Sequence, residues 1–142
     1  MIRLYQESDI EEIIKIWHQA CLVAHPFLSE SFLESEEQKI RHDYLPTAQT
    51  WVYECEGKPV GFISLLGNEV GAIFVHPSMH RRGIGKALMD NACSLHNTVE
   101  LDVFEANSIG RAFYAKYGFE PTHEFIHHET GEPTIRLRYG RV

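Results

Sequence analysis

Two periods of hydrophobicity alternate along this chain. Ile10, Ile13, Ile14, Trp17, Cys21 and Ala24 recur every three or four positions, the repeat that lines one face of a helix. Ser8 and Glu11 stand in capping-box spacing, so that helix is expected to start there. It is expected to stop at His25-Pro26, because the residue before a proline is pushed out of the helical region. A short strand, Ile2 to Gln6, precedes it. A second helix fits between Ser29 and Tyr44, with Glu34, Glu36 and Glu37 on a solvated face. From Trp51 the pattern shortens towards alternation. Trp51 to Glu56, Val60 to Leu66 and Val70 to Val75 read as three strands, joined by turns at Glu56-Gly57-Lys58-Pro59 and Gly67-Asn68.

The helical period returns between Gly83 and Leu95, where Ile84, Leu88, Ala92 and Leu95 share one side. Val99, Leu101 and Val103 alternate with Glu100 and Asp102, which predicts a half-buried strand. Asn107 can cap a helix running to Tyr117, and Gly118 suits the left-handed residue just past its end. Phe119 to His128 and Thr134 to Tyr139 are expected to pair antiparallel around Thr130-Gly131. The element order is thus β-α-α-β-β-β-α-β-α-β-β. Hairpins followed by strand-helix-strand units require a mixed sheet, so the expectation is an α/β fold in a single domain over residues 1–142.

Composition narrows the function. With 44% apolar and 23% charged residues the chain has an ordinary globular make-up. No apolar run approaches the roughly 20 residues of a membrane span. Met1-Ile2-Arg3-Leu4-Tyr5 lacks the apolar core and cleavage site of a secretion signal, so a cytoplasmic protein with no membrane partner is expected. Thirteen basic and twenty acidic residues give a net charge of −7. That argues against a nucleic-acid partner and suits a cationic one, such as a polyamine or a lysine-bearing peptide. Cys21, Cys55 and Cys93 form no CxxC pair and are expected to be buried free thiols. Nine histidines without an HExxH spacing predict no metal site. The sequence is compatible with a monomer or a homodimer.

The most informative segment is Val75-His76-Pro77-Ser78-Met79-His80-Arg81-Arg82-Gly83-Ile84-Gly85-Lys86-Ala87-Leu88. A strand ends, a basic glycine-bearing loop follows, and a helix opens. Unsatisfied amides at a helix start, close backbone approach at glycine, and the charges of Arg81, Arg82 and Lys86 together suit a phosphate. A P-loop would need glycine at His80 and a hydroxyl at Ala87. A dinucleotide fingerprint could use Gly83, Gly85 and the downstream Asp102, but Leu88 stands where its third small residue belongs. The chain is also too short for two mononucleotide-binding halves.

The segment His80-Arg81-Arg82-Gly83-Ile84-Gly85 resembles the acyl-CoA-binding loop of the GCN5-related N-acetyltransferase (GNAT) superfamily. The one departure is histidine at the first position, so His80 is not carried over as a ligand. Asn107-Ser108-Ile109-Gly110-Arg111-Ala112-Phe113-Tyr114-Ala115-Lys116-Tyr117-Gly118-Phe119 resembles the later motif of the same superfamily, with Gly110 where alanine is usual. The element order resembles that fold over essentially the whole chain.

The resemblance implies an enzyme that moves acetyl from acetyl-CoA to a primary amine on a protein lysine, a protein N-terminus or a small molecule. Direct attack through a tetrahedral intermediate is implied, without a metal. The cofactor-binding set implied is Ile73, Phe74 and Val75 on the strand before the loop, Arg81, Arg82, Gly83, Ile84, Gly85 and Lys86 at the pyrophosphate, and Asn107 and Tyr114 further on. Ile73 and Val75 are the positions whose backbone groups would meet the acetyl and pantetheine amides. Tyr114 is implied as the acid that protonates the departing thiolate. Glu69 matches a position where some members carry a basic glutamate, though at a turn it also reads as a surface residue. His25 and Phe27 fall in the region that lines the acceptor site. Gly71 inside its strand marks a bulge or a close backbone approach. The alternative is a non-catalytic coenzyme A-binding module with the same fold.

Overall fold

The computed structural model describes residues 1–140, and the last two positions of the expected 1–142 domain lie outside them. In chain order the elements are β1 (Ile2–Leu4), α1 (Ile10–Ala24), α2 (Glu30–Lys39), β2 (Gln49–Cys55), β3 (Lys58–Leu66), β4 (Glu69–Val75), α3 (Ile84–Leu95), β5 (Thr98–Phe104), α4 (Ser108–Tyr117), β6 (Glu120–Ile126) and β7 (Pro133–Gly140). The expected order is present. All seven strands join one sheet in the order β1-β2-β3-β4-β5-β7-β6. The pair β4–β5 is parallel and the others are antiparallel. That follows from the connections, since β4 and β5 are joined through a crossover helix while hairpins join β2, β3 and β4.

The sheet is covered on both faces. Ile13, Ile16 and Trp17 of α1 and Leu33 of α2 pack on Val52 and Phe62. Leu88, Met89 and Ala92 of α3 pack on Ile63, Leu101 and Leu137. Because side chains alternate along a strand, β4 presents Ala72 and Phe74 to the α1/α2 side and Ile73 and Val75 to the α3 side. No helix among the described residues is long and apolar enough to cross a membrane.

Two local expectations are corrected. The first helix does not begin at a Ser8–Glu11 box. Glu7–Asp9 form a single 3-10 turn and the α-helix starts at Ile10. Buried Asp9 takes over, accepting from the Gln6 amide at 2.8 Å and from Arg3 at 2.8 and 2.9 Å. A carboxylate that satisfies both a helix-start amide and a guanidinium outcompetes a serine that could do only the first. The thiols are free, but only Cys21 is buried while Cys55 and Cys93 are partly exposed.

Candidate active site

The parallel pairing of β4 and β5 is short. It holds only Glu69 opposite Glu100 and Val70 opposite Leu101, although β4 runs on to Val75 and β5 to Phe104. The strands part at Gly71. On β3, Leu65 faces Val70 and Ser64 faces Ala72, so Gly71 is the extra residue of a bulge. A Cβ at Gly71 would also overlap the hydroxyl of Tyr44. Both readings of this glycine therefore apply at once.

Past the bulge the ladder decides which backbone groups are free. The His76 amide donates to the Val60 carbonyl at 2.9 Å, and the same register pairs Phe74 with Phe62 and Ala72 with Ser64. Hydrogen-bonded pairs alternate along an antiparallel ladder. The backbone groups of Ile73 and Val75 therefore point away from β3, into the gap that β5 has left. His80 donates from Nε2 to the Val75 carbonyl at 2.9 Å and so pins the glycine loop to the end of β4.

The loop itself leaves a cluster of amides open. Gly83 is the N-cap of α3 with φ +77° and no side-chain cap, and the first helical bond runs from Ala87 to its carbonyl at 3.0 Å. The amides of Ile84, Gly85 and Lys86 have no partner within the helix. Arg81 also has a positive φ, +64°, unusual for a side-chain-bearing residue. Arg81 and Arg82 are exposed and form no ion pair among the described residues, whereas Lys86 binds Asp90 at 2.9 Å. A Cβ on Gly85 would stand 3.3 Å from the Phe113 ring, so glycine lets α3 and α4 approach.

A cavity of about 550 Å³ runs from the α2 side to the α4 side through this gap, lined by Trp17 and Tyr44 towards α2, by Leu101 and Tyr114 towards α4, and by His25 and Asn107 where they meet. Tyr114 stands edge-on to Phe119 at 5.6 Å. Burial raises its pKa well above the usual phenol range, which keeps it a proton donor at any working pH. Asn107 caps α4 by accepting from the Gly110 amide at 2.9 Å, and its Nδ2 meets Nε2 of His25 at 3.1 Å. Open amides with bases at one end and an unpaired strand edge leading to a phenol fit a coenzyme A thioester: pyrophosphate, pantetheine amides and sulfur in turn.

A family model of the acetyltransferase (GNAT) domain matches residues 46–121. The chain is 36% identical over 135 residues to the peptidyl-lysine N-acetyltransferase YiaC of Escherichia coli, covering 94% of this chain and 92% of that protein. The chain belongs to the GNAT acetyltransferase family. It is also 32% identical to the E. coli peptidyl-lysine N-acetyltransferase YjaB, over 99% of this chain and 96% of that one. The solution structure of apo YjaB superposes with a TM-score of 0.88 at 31% identity, covering 99% and 98% of the two chains. The PaiA N-acetyltransferase of Thermoplasma acidophilum, in complex with coenzyme A, shares the fold with a TM-score of 0.77 at 20% identity, covering 98% of each chain. This chain is accordingly an N-acetyltransferase, of a family whose acyl donor is acetyl-CoA.

In this acetyltransferase the expected cofactor residues from Ile73 to Lys86, with Asn107 and Tyr114, converge on the gap and its loop. Two expected site residues are engaged with other partners. Glu69 is held by Arg136 at 2.9 Å, and the same guanidinium reaches Asp102 at 3.2 Å and Glu100 at 3.4 Å, tying β4, β5 and β7 at the root of the gap. Phe27 packs edge-on against Phe104 at 5.5 Å, behind the cavity wall. The cavity residues that carry no functional signal in the sequence include Tyr44, Phe104 and His127. Tyr44 closes a π-helical turn, Ile40–Tyr44, that extends α2, and the Leu45 amide donates a hydrogen bond to the Ile40 carbonyl. Its hydroxyl is buried against the Gly71 backbone, and burial pushes its pKa up to about 12. The glycine opposite it, Gly71, was the sequence signal for this close approach.

Proposed function

We propose that this protein acetylates the ε-amine of lysine in a protein or peptide, with acetyl-CoA as donor. The observation that carries the reading is the cavity that crosses the sheet at the β4–β5 gap. It gives a donor on the α3/α4 side and an acceptor on the α1/α2 side one shared opening. The acceptor wall carries Glu36 and Asp43, while its one lysine, Lys39, is paired with Glu36 and Glu129. Such a wall favours a cationic amine. That relatives at 36% and 32% identity carry the name peptidyl-lysine N-acetyltransferase supports the same class.

Acetyl-CoA supplies a thioester carbonyl that a neutral amine can attack directly. The free amide of Ile73 polarises that carbonyl oxygen, a donor of a kind worth about 3 kcal/mol at the transition state. Tyr114 Oη delivers the proton to the departing sulfur. Arg81, Arg82 and the amides of Gly83 to Lys86 hold the pyrophosphate, and Val75 and Asn107 hold the pantetheine arm. Glu69, committed to Arg136, braces the strand junction, and the proton of the incoming ammonium leaves through cavity water instead. A lysine amine with an ordinary pKa of about 10.4 is scarcely neutral at pH 7, so acceptor turnover rises with pH.

The test is mass spectrometry of acetylation on a peptide with a blocked α-amine and one lysine, beside a free-α-amine peptide without lysine and spermidine. Acetylation of the blocked peptide is expected. Reaction of only the α-amine or only spermidine would reassign the acceptor. Binding of acetyl-CoA with no product on any of them would make the protein a non-catalytic module.

A further inference from the structure

The contact between His25 and Asn107 joins the end of α1 to the start of α4, residues 82 positions apart. The Asn107 carboxamide is spoken for at both ends. Its Oδ1 accepts from the Gly110 amide, which obliges Nδ2 to face His25, and Nδ2 can only donate. His25 must then be the acceptor, a neutral ring with its proton on Nδ1. Its surroundings enforce that state. Phe27, Phe74 and Phe104 stand edge-on around the ring at 5.7, 6.2 and 5.3 Å, and burial holds its pKa down to about 4.

Gly110 supplies the second observation. Glycine disfavours a helix relative to alanine, and nothing about this position demands a positive φ. A Cβ there, however, would stand 2.5 Å from Asn107 Nδ2 and 3.0 Å from its Cγ. The space it would take is filled by the carboxamide in the orientation that reaches His25. Glycine at 110 and histidine at 25 therefore serve one arrangement.

We propose that His25 is a positioning residue for the acyl-donor site: it holds Asn107 so that the second Nδ2 hydrogen is offered to the pantetheine arm, and Gly110 leaves room for that pose. This rests on the reading that Asn107 binds the donor. It places His25 on the donor side of the reaction, where the resemblance alone had suggested an acceptor contact. The ring is a hydrogen-bond acceptor of fixed protonation, so it moves no proton during turnover.

The test is isothermal titration with acetyl-CoA and steady-state kinetics on wild type, His25→Ala, Gly110→Ala, Asn107→Ala and the His25→Ala/Asn107→Ala double variant. Alongside them, long-range ¹⁵N NMR of the wild-type His25 ring reads its tautomer. The expected loss is about three- to tenfold in acetyl-CoA affinity for His25→Ala, the worth of one hydrogen bond. Gly110→Ala should show a similar loss while melting no lower than wild type, which separates positioning from folding. The double variant should bind no worse than Asn107→Ala alone, and acceptor KM should stay within twofold in His25→Ala. The ring should carry its proton on Nδ1. A raised acceptor KM with unchanged acetyl-CoA affinity, a fully additive double variant, or a proton on Nε2 would each overturn the proposal. Unchanged affinity in Asn107→Ala would instead remove the underlying reading of Asn107, while the tautomer still reported whether the contact exists.

Discussion

The neutral state of His25 has a stability consequence that can be worked out. In the unfolded chain this imidazole titrates near about 6.5, and in the fold burial lowers it to about 4. The unfolded state therefore binds the proton more readily, and stability falls as pH drops below the unfolded value. At pH 5 the unfolded ring is almost wholly protonated and the folded ring mostly neutral. Relative to pH 8 the difference is about 2 kcal/mol, or about 1–2 kcal/mol once the ring's partial exposure is allowed for. Among the described residues burial is the one influence on the ring, whose neighbours include three phenylalanines and Asn107. His25→Gln is the right control, because glutamine can still accept from Asn107 but does not titrate. Urea unfolding of both proteins at steps between pH 8 and 5 should show wild type losing about 1–2 kcal/mol more than the variant, or about 3–7 °C in melting temperature for a chain of this length. Parallel curves would refute the argument, because they would mean that His25 charges freely inside the fold.

Tyr114→Phe should leave acetyl-CoA affinity within about twofold and lower kcat at least tenfold, the low end of acid-catalysis effects; unchanged kcat would remove Tyr114 from the mechanism. Because burial raises the Tyr114 pKa, acceptor kcat/KM should climb from pH 7 to 9 with no fall from loss of the acid, which a pH–rate profile checks. Glu69→Gln should keep kcat within about threefold, since the carboxylate serves Arg136; a loss of a hundredfold or more would restore it as the base. Gly71→Ala should displace Tyr44 and destabilise the fold by about 1–3 kcal/mol, as overpacking does, and denaturant unfolding measures it.

Much of this molecule is local, and the local part was legible. The helical repeat from Ile10 to Ala24, the proline stop after His25, the three alternating strands and the left-handed Gly118 each depend on near neighbours. Gly83 and Gly85 beside three bases announced an anion site because the requirement, open amides at a helix start, is itself a property of a few consecutive residues. Two motifs at the right separation then sufficed to indicate the family. The helix start misled for a related reason: Asp9 prevails over Ser8 because Arg3, on a neighbouring strand, completes its hydrogen bonds. Gln6 and Asp9 stand at capping-box spacing as Ser8 and Glu11 do, and the choice between the two pairs is settled by Arg3.

The anion-binding character of the loop from Arg81 to Lys86 can be read from consecutive residues, since backbone geometry and charge within one loop govern that capacity. What faces what across the sheet is set by how the elements pack. The bulge at Gly71 turned the backbone of Ile73 into the gap, Arg136 tied Glu69 to β5 at the root of that gap, and His25 met Asn107 from the far end of α1. The last two depend on residues 67 and 82 positions apart arriving within about 3 Å of one another. Spacing along the chain carries no information about such meetings, because they are set by strand register and by the way α1 and α4 close on the same opening.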